Sequence, residues 1–173
     1  MLSEKRLAKF VKPLYAKKDE MHNFSHILRI KRKVAFLRKG YKNLDGDLLL
    51  LLIYFHGIKK WVRKNKKKVL EMGFSKKQIE RLIKKNHSPK NSEEKIVFDA
   101  NMLENVGRFG IKKMLILEKA YGQTRKDTIA LAKKFLSEYK FYTPIGKRLG
   151  KKGIKIRKKW LKKEIKRYNK KEG

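Results

Sequence analysis

Of the four histidines in the chain, three stand where they could do chemistry. His22 and His26 are four residues apart in "MHNFSHILRI"; on a helix that spacing stacks them on one face, and Arg29, three further on, joins the same side. The result is a compact patch of two imidazoles and a guanidinium, the second being a group that holds phosphate well. An i, i+4 histidine pair also occurs as plain helix surface. "HNFSH" lacks the glutamate that a two-histidine zinc-protease helix carries directly after its first histidine, so that chemistry is excluded. His56 closes the apolar run "LLLLLIYFHGI", where a neutral imidazole can also serve as a core residue donating one hydrogen bond. Asp99 sits among Ile96, Val97, Phe98, Ala100 and Met102. A carboxylate buried there is costly alone, so a cation, a metal or a cap must meet it. With no cysteine in the chain, any metal would rest on histidine and carboxylate ligands.

Helices must position these groups. Apolar residues recur at helical spacing almost throughout, as in Leu7, Phe10, Val11 and Leu14, or Ile27, Ile30, Val34 and Leu37. No alternating strand pattern or Asn-Gly hairpin interrupts them, so the expected fold class is all-α. "SKKQ" at Ser75–Gln78 and "NSEE" at Asn91–Glu94 read as capping boxes, and "NHSPKN" as a loop. Gly40, Gly57, Gly73, Gly107 and Gly110 fall where helices should stop, with Gly57 suited to a left-handed cap after the apolar helix. Leucine favours helix over buried strand, so Leu48–Phe55 is read as a helix buried on most sides.

The length of 173 residues suits one domain spanning 1–173 with a sizeable core. From about Gly146 onward Lys or Arg falls at nearly every second position, yet Leu161, Ile165 and Tyr168 share one face. This predicts a basic amphipathic C-terminal helix over about 146–173, docked on the body. "MLSEKRLAKF" has no apolar signal segment, and the longest apolar run is too short to cross a bilayer. A soluble, cytoplasmic protein without membrane partners is the expectation.

His26 followed by "LRI", His56 after an apolar helix, "NHS" and then "DANMLENVGRFGI" together resemble the histidine-aspartate (HD) superfamily of metal-dependent phosphohydrolases. The resemblance covers roughly residues 15–143. It implies an all-α fold, a divalent metal, and hydrolysis of a small phosphorylated compound such as a nucleotide or pyrophosphate. Carried over by residue, it implies metal ligands His26, His56 and Asp99, with Arg29, His22 and His87 on the phosphate side.

Two positions depart from the family pattern. Gly57 stands where the aspartate of the His-Asp pair belongs, and Asn101 where a second aspartate follows Asp99. The first change removes a ligand and the carboxylate that would orient or deprotonate the attacking water. Two imidazoles and one carboxylate remain, a set that can suffice for a catalytic metal with open positions and suits Mn, Ni, Co or Fe better than Mg.

Charge frames a second reading. Lys and Arg total 50 against 16 Asp and Glu, a formal net charge of +34. Such a field attracts polyanions, although lysine-rich, cysteine-free composition also marks proteins from hot environments. "IKKWVRKNKKK" and "IKIRKKWLKKEIKRY" interleave aromatic rings with cations, a composition suited to sequence-tolerant nucleic-acid binding. The same rings, Trp61 and Trp160, read equally as core anchors. The alternative function is therefore a catalytically inactive HD-like domain that binds RNA or DNA through its basic surface.

Overall fold

A computed structural model describes residues 3–84 and 88–172. The chain forms two compact units, Met1–Val97 and Phe98–Gly173. Among the described residues there are helices and turns and no strand, as the apolar spacing predicts.

The first unit contains α1 (Glu4–Val11), α2 (Phe24–Leu37), α3 (Gly46–Phe55), α4 (Lys59–Lys64), α5 (Lys66–Glu71) and α6 (Lys76–Ile83). Its centre is α3, the apolar run, which buries Leu48, Leu49, Leu51, Leu52, Ile53, Tyr54 and Phe55 against α1, α2 and α6. A helix apolar on nearly every side has no solvent face to spend, which is why it lies inside. Asp45 starts it by accepting from the Leu48 N–H, and the Gln78 amide of α6 donates to the same carboxylate at 3.0 Å. Gln78 also completes the expected capping box with Ser75. Trp61 is a core anchor here, with ring contacts to Phe10 and Phe55.

Next comes α7 (Ser92–Met102). Asn91 caps it by accepting from the Glu94 N–H, but the Glu94 carboxylate takes the Lys90 N–H, one residue beyond the position a capping box requires.

The second unit contains α8 (Gly107–Ala120), α9 (Arg125–Glu138) and α10 (Pro144–Glu172). Met114, Ile129, Ala132 and Leu161 form its core, with Trp160, Ile165 and Tyr168 packed against them, so the basic C-terminal segment is the docked amphipathic helix that its apolar stripe predicts. The inner face of α10 carries glycine at 146, 150 and 153. A Cβ at Gly146 would overlap the Asp99 carboxylate and lie 2.6 Å from Thr143 Oγ1; one at Gly150 would enter the Phe141 ring; one at Gly153 would lie 2.6 Å from Val106 Cγ2. Each glycine costs a helix interior about 1 kcal/mol relative to alanine. Close approach of neighbouring groups is what requires them.

Three glycines expected to end helices do something else. Gly107 begins α8 with φ +67°, Gly110 lies inside α8 with its α-carbon against the Asn105 backbone, and Gly57 has no left-handed backbone. Only Gly40 and Gly73, at φ +88° and +94°, behave as predicted, just past α2 and α5.

Gly146→Ala should lower stability by about 2 kcal/mol, because overlap with a hydrogen-bonded carboxylate outweighs the gain in helix propensity. Gly46→Ala, where no atom lies within 4 Å, should be neutral or stabilising. Thermal unfolding of the two variants, followed by circular dichroism, checks the contrast.

Candidate functional site

His26 and His56 meet. His26 lies in the first turns of α2 and is 4% exposed; His56 caps the C-terminus of α3. Their Nε2 atoms are 3.2 Å apart. His56 Nδ1 donates to the Ile53 carbonyl at 3.0 Å, the bond the sequence suggests for a helix-closing histidine. That bond fixes its tautomer and leaves Nε2 with the lone pair, so the Nε2–H of His26 is the donor between the rings. Burial, reinforced by the neighbouring His26, pushes the His56 imidazole down to about 4. At neutral pH it is uncharged.

His22 joins the row, its ring centroid 6.0 Å from that of His26, but by a route the spacing does not suggest. Helix α2 begins at Phe24 after the Asn23 cap, so His22 precedes it and is not stacked one turn below His26. Asp19 holds it instead. The Asp19 carboxylate accepts from the backbone N–H groups of Met21 and His22 and from His22 Nδ1 at 2.8 Å. Nδ1 thereby carries the proton for the carboxylate, and Nε2 is the ring nitrogen that this bond does not use. Arg29 flanks the row, donating to Ser25 Oγ and the Met21 carbonyl. His87 lies outside the described residues.

Gly57 follows directly. The place its side chain would occupy is filled by Tyr15: a Cβ on residue 57 would lie 2.9 Å from the tyrosine ring and 3.1 Å from its oxygen. Tyr15 is 1% exposed and donates to the Tyr54 carbonyl. Burial pushes its phenol up, against the smaller opposing effect of the Gly57 N–H. Residue 57 is therefore glycine because an aromatic ring stands where a side chain would go, not because the backbone turns left-handed.

Asp99 is fully buried in the second unit, and a cap meets it. Its Oδ2 accepts from Thr143 N and Thr143 Oγ1, both at 2.7 Å, and Tyr142 N lies 2.9 Å from Oδ1. The carboxylate thereby fixes Thr143, whose Oγ1 caps α10 by accepting the Gly146 N–H at 2.9 Å. Among the described residues Oδ1 accepts the Tyr142 N–H alone and keeps acceptor capacity.

Among the described residues, no group of three His, Asp or Glu side chains stands ready-made for a metal ion. The imidazole pair nevertheless fits one. Two nitrogens each about 2.1 Å from an ion and roughly at right angles are about 3 Å apart, close to the spacing seen. The bond from His56 Nδ1 to a carbonyl is the outer support that metal-bound histidines usually have. The donor set is short by the carboxylate that residue 57 lacks.

No protein-family model matches the chain, and no curated protein matches it either. Solved structures do. The Lin1889 protein of Listeria innocua superposes with TM-score 0.71 at 20% identity, covering 97% of this chain and 98% of its own. An HD-superfamily hydrolase from Bacillus thuringiensis gives 0.67 at 15% identity, with 96% of each chain covered. YpgQ of Bacillus subtilis, solved in complex with ADP, gives 0.65 at 17% identity over 95% of this chain and 96% of that one. The chain has an HD-type, all-α fold.

Sequence reasoning missed Asp19 and Tyr15. Asp19 leaves a signal, an aspartate three residues before a histidine at the mouth of a helix. Tyr15 leaves none, because its contact with Gly57 spans more than forty residues and depends on packing alone.

Gly57→Asp should destabilise the protein by about 1–3 kcal/mol by displacing the Tyr15 phenol. The loss should shrink by at least about 1 kcal/mol in a Tyr15→Ala background, as denaturant unfolding of the four proteins of the cycle will show.

The depressed His56 has a pH signature in metal-free protein. The unfolded imidazole takes up a proton near its ordinary 6.5 and the folded one near 4, so the unfolded state binds more protons between those values and stability falls as pH is lowered through that window. Between pH 7 and 4.5, EDTA-treated wild type should lose more stability than His56→Gln, by at most about 3 kcal/mol. Parallel thermal melts give the difference.

Proposed function

We propose that the chain is a divergent HD-type phosphohydrolase acting on a small phosphorylated compound, of the nucleotide or pyrophosphate class. Its imidazole metal ligands are His26 and His56, and Asp99 is the carboxylate ligand that the family resemblance assigns. The observation that carries this reading is the 3.2 Å approach of two Nε2 atoms, one fixed in the ligating tautomer by a helix carbonyl. The ADP bound to YpgQ, a protein of the same fold, supports the substrate class.

A bound divalent ion of the Mn, Ni, Co or Fe type would supply an acidified water and neutralise charge on a phosphoryl oxygen. The chain's own residues do the rest. His22 presents Nε2 to the phosphate because Asp19 holds its Nδ1, so Asp19 is a positioning residue. Arg29 offers a guanidinium steadied by Ser25 and the Met21 carbonyl. His87 is the further phosphate-side group of this proposal. The carboxylate that would orient or deprotonate the attacking water is absent at Gly57, so turnover should be slow.

Metal content by inductively coupled plasma mass spectrometry, on tag-free protein loaded with Mn, Ni or Co, tests the proposal. Near-stoichiometric metal is expected, lost in His56→Ala, together with metal-dependent release of phosphate or pyrophosphate from a nucleotide panel. Protein that stays metal-free after loading overturns the reading.

A further inference from the structure

Helix α10 presents two faces of opposite character. The inner one is taken up by its glycines, Leu161 and the buried Arg157. The outer one carries Lys147, Arg148, Lys151, Lys152, Lys155 and Lys158, all exposed, and continues as an exposed cationic stripe to Lys170. No exposed acidic side chain interrupts it among the described residues; Glu164 is turned partly inward and paired with Arg125 and Arg167.

Three features identify the occupant. Like charges repeat at i, i+4 along the face, as in Lys147–Lys151, Arg148–Lys152, Lys151–Lys155 and Lys158–Lys162, and each such pair opposes the helix. A polyanion laid along the stripe would relieve that repulsion. From Lys147 to Lys170 the stripe runs about 35 Å at 1.5 Å per residue, close to one turn of duplex nucleic acid. Its first half lines an open, shallow hollow in which Phe141, half-buried on Gly150, and Ile154 form the apolar floor beside the cationic side chains. That pairs cations for a phosphate backbone with a ring on which a base can stack. A membrane surface fits less well, because Ile156 is the one large apolar side chain exposed on this helix among the described residues, and binding within the lipid interface needs an apolar face.

We infer that the outer face of α10 is a binding track for the phosphate backbone of nucleic acid, without sequence readout and without use of the three histidines. Phosphates would lie against the cations between Lys147 and Lys158, with Phe141 beside them.

The test uses the full chain, fluorescence anisotropy, and labelled oligonucleotides of about 20 nucleotides, single- and double-stranded, titrated over a salt series. Six phosphate contacts predict a slope near −4 in log affinity against log salt for single strands. Lys151→Glu/Lys155→Glu should weaken binding at least tenfold and flatten the slope by about 1–2. Lys76→Glu/Lys77→Glu, the same charge change on exposed positions of α6, should have far less effect, and His56→Ala none. Equal loss in the two charge-reversed variants would show that only net charge matters and overturn the inference. So would binding insensitive to salt, loss of binding in His56→Ala, or tighter association with phosphatidylserine vesicles than with either oligonucleotide.

Discussion

A buried polar group must find its partner inside the chain, and in the second unit one carboxylate carries that constraint. Asp99 has no solvent contact, and without the Tyr142 and Thr143 donors it would be an unpaired charge, a defect that costs several kcal/mol. Because the donors come from the residues just before α10, satisfying the carboxylate also fixes where that helix starts. Gly146 follows necessarily: the carboxylate occupies the volume a Cβ would take. Arg157, 2% exposed, follows the same logic from the opposite sign, giving its guanidinium to the Asn105 carbonyl, the Met114 sulfur and the face of the Tyr139 ring. Burial lowers its basicity, and the nearby tyrosine offsets part of that.

In the first unit the constraint falls on imidazoles. His56 can lie at the end of the most apolar helix because it stays neutral and both ring nitrogens have partners, Ile53 on one side and His26 on the other. The row therefore costs the fold little when no metal is present. A ring placed under Gly57 closes the volume that a carboxylate would need. A carboxylate introduced at residue 57 alone would therefore meet packing resistance from Tyr15.

Much of this was legible beforehand, and the reason differs by residue. Periodicity exposed the helices, since an amphipathic stripe is written locally in side-chain order. Ser75 and Gln78 announced their capping box because both partners lie within one turn. The meeting of His26 and His56 was implied by the family resemblance alone; read from its own surroundings, His56 was equally a core histidine. Asp99 was legible as a buried carboxylate needing a partner, but the partner's identity depended on residues more than forty positions away. Gly57 was misread as a backbone device because sequence reports a missing side chain without reporting what fills the space. His22 falls just outside a helix that Asn23 starts at Phe24, and Asp19 holds it there.

Net charge alone says little about where a polyanion would sit, and the arrangement of α10 supplies what charge lacks. The glycines at 146, 150 and 153 bring its inner face close to Asp99, Phe141 and Val106, and Glu164 adds an ion pair to Arg125 of α9, so its holding contacts lie on the inner side. Its outer lysines are then not needed to hold the unit together. A stretch that only had to dock could alternate lysine with glutamate and gain stabilising i, i+4 pairs. This one forgoes them along most of its outer face. The choice disfavours the isolated helix by roughly a few tenths of a kcal/mol per pair, a cost that docking of the inner face offsets and that negative charge arriving from outside would remove.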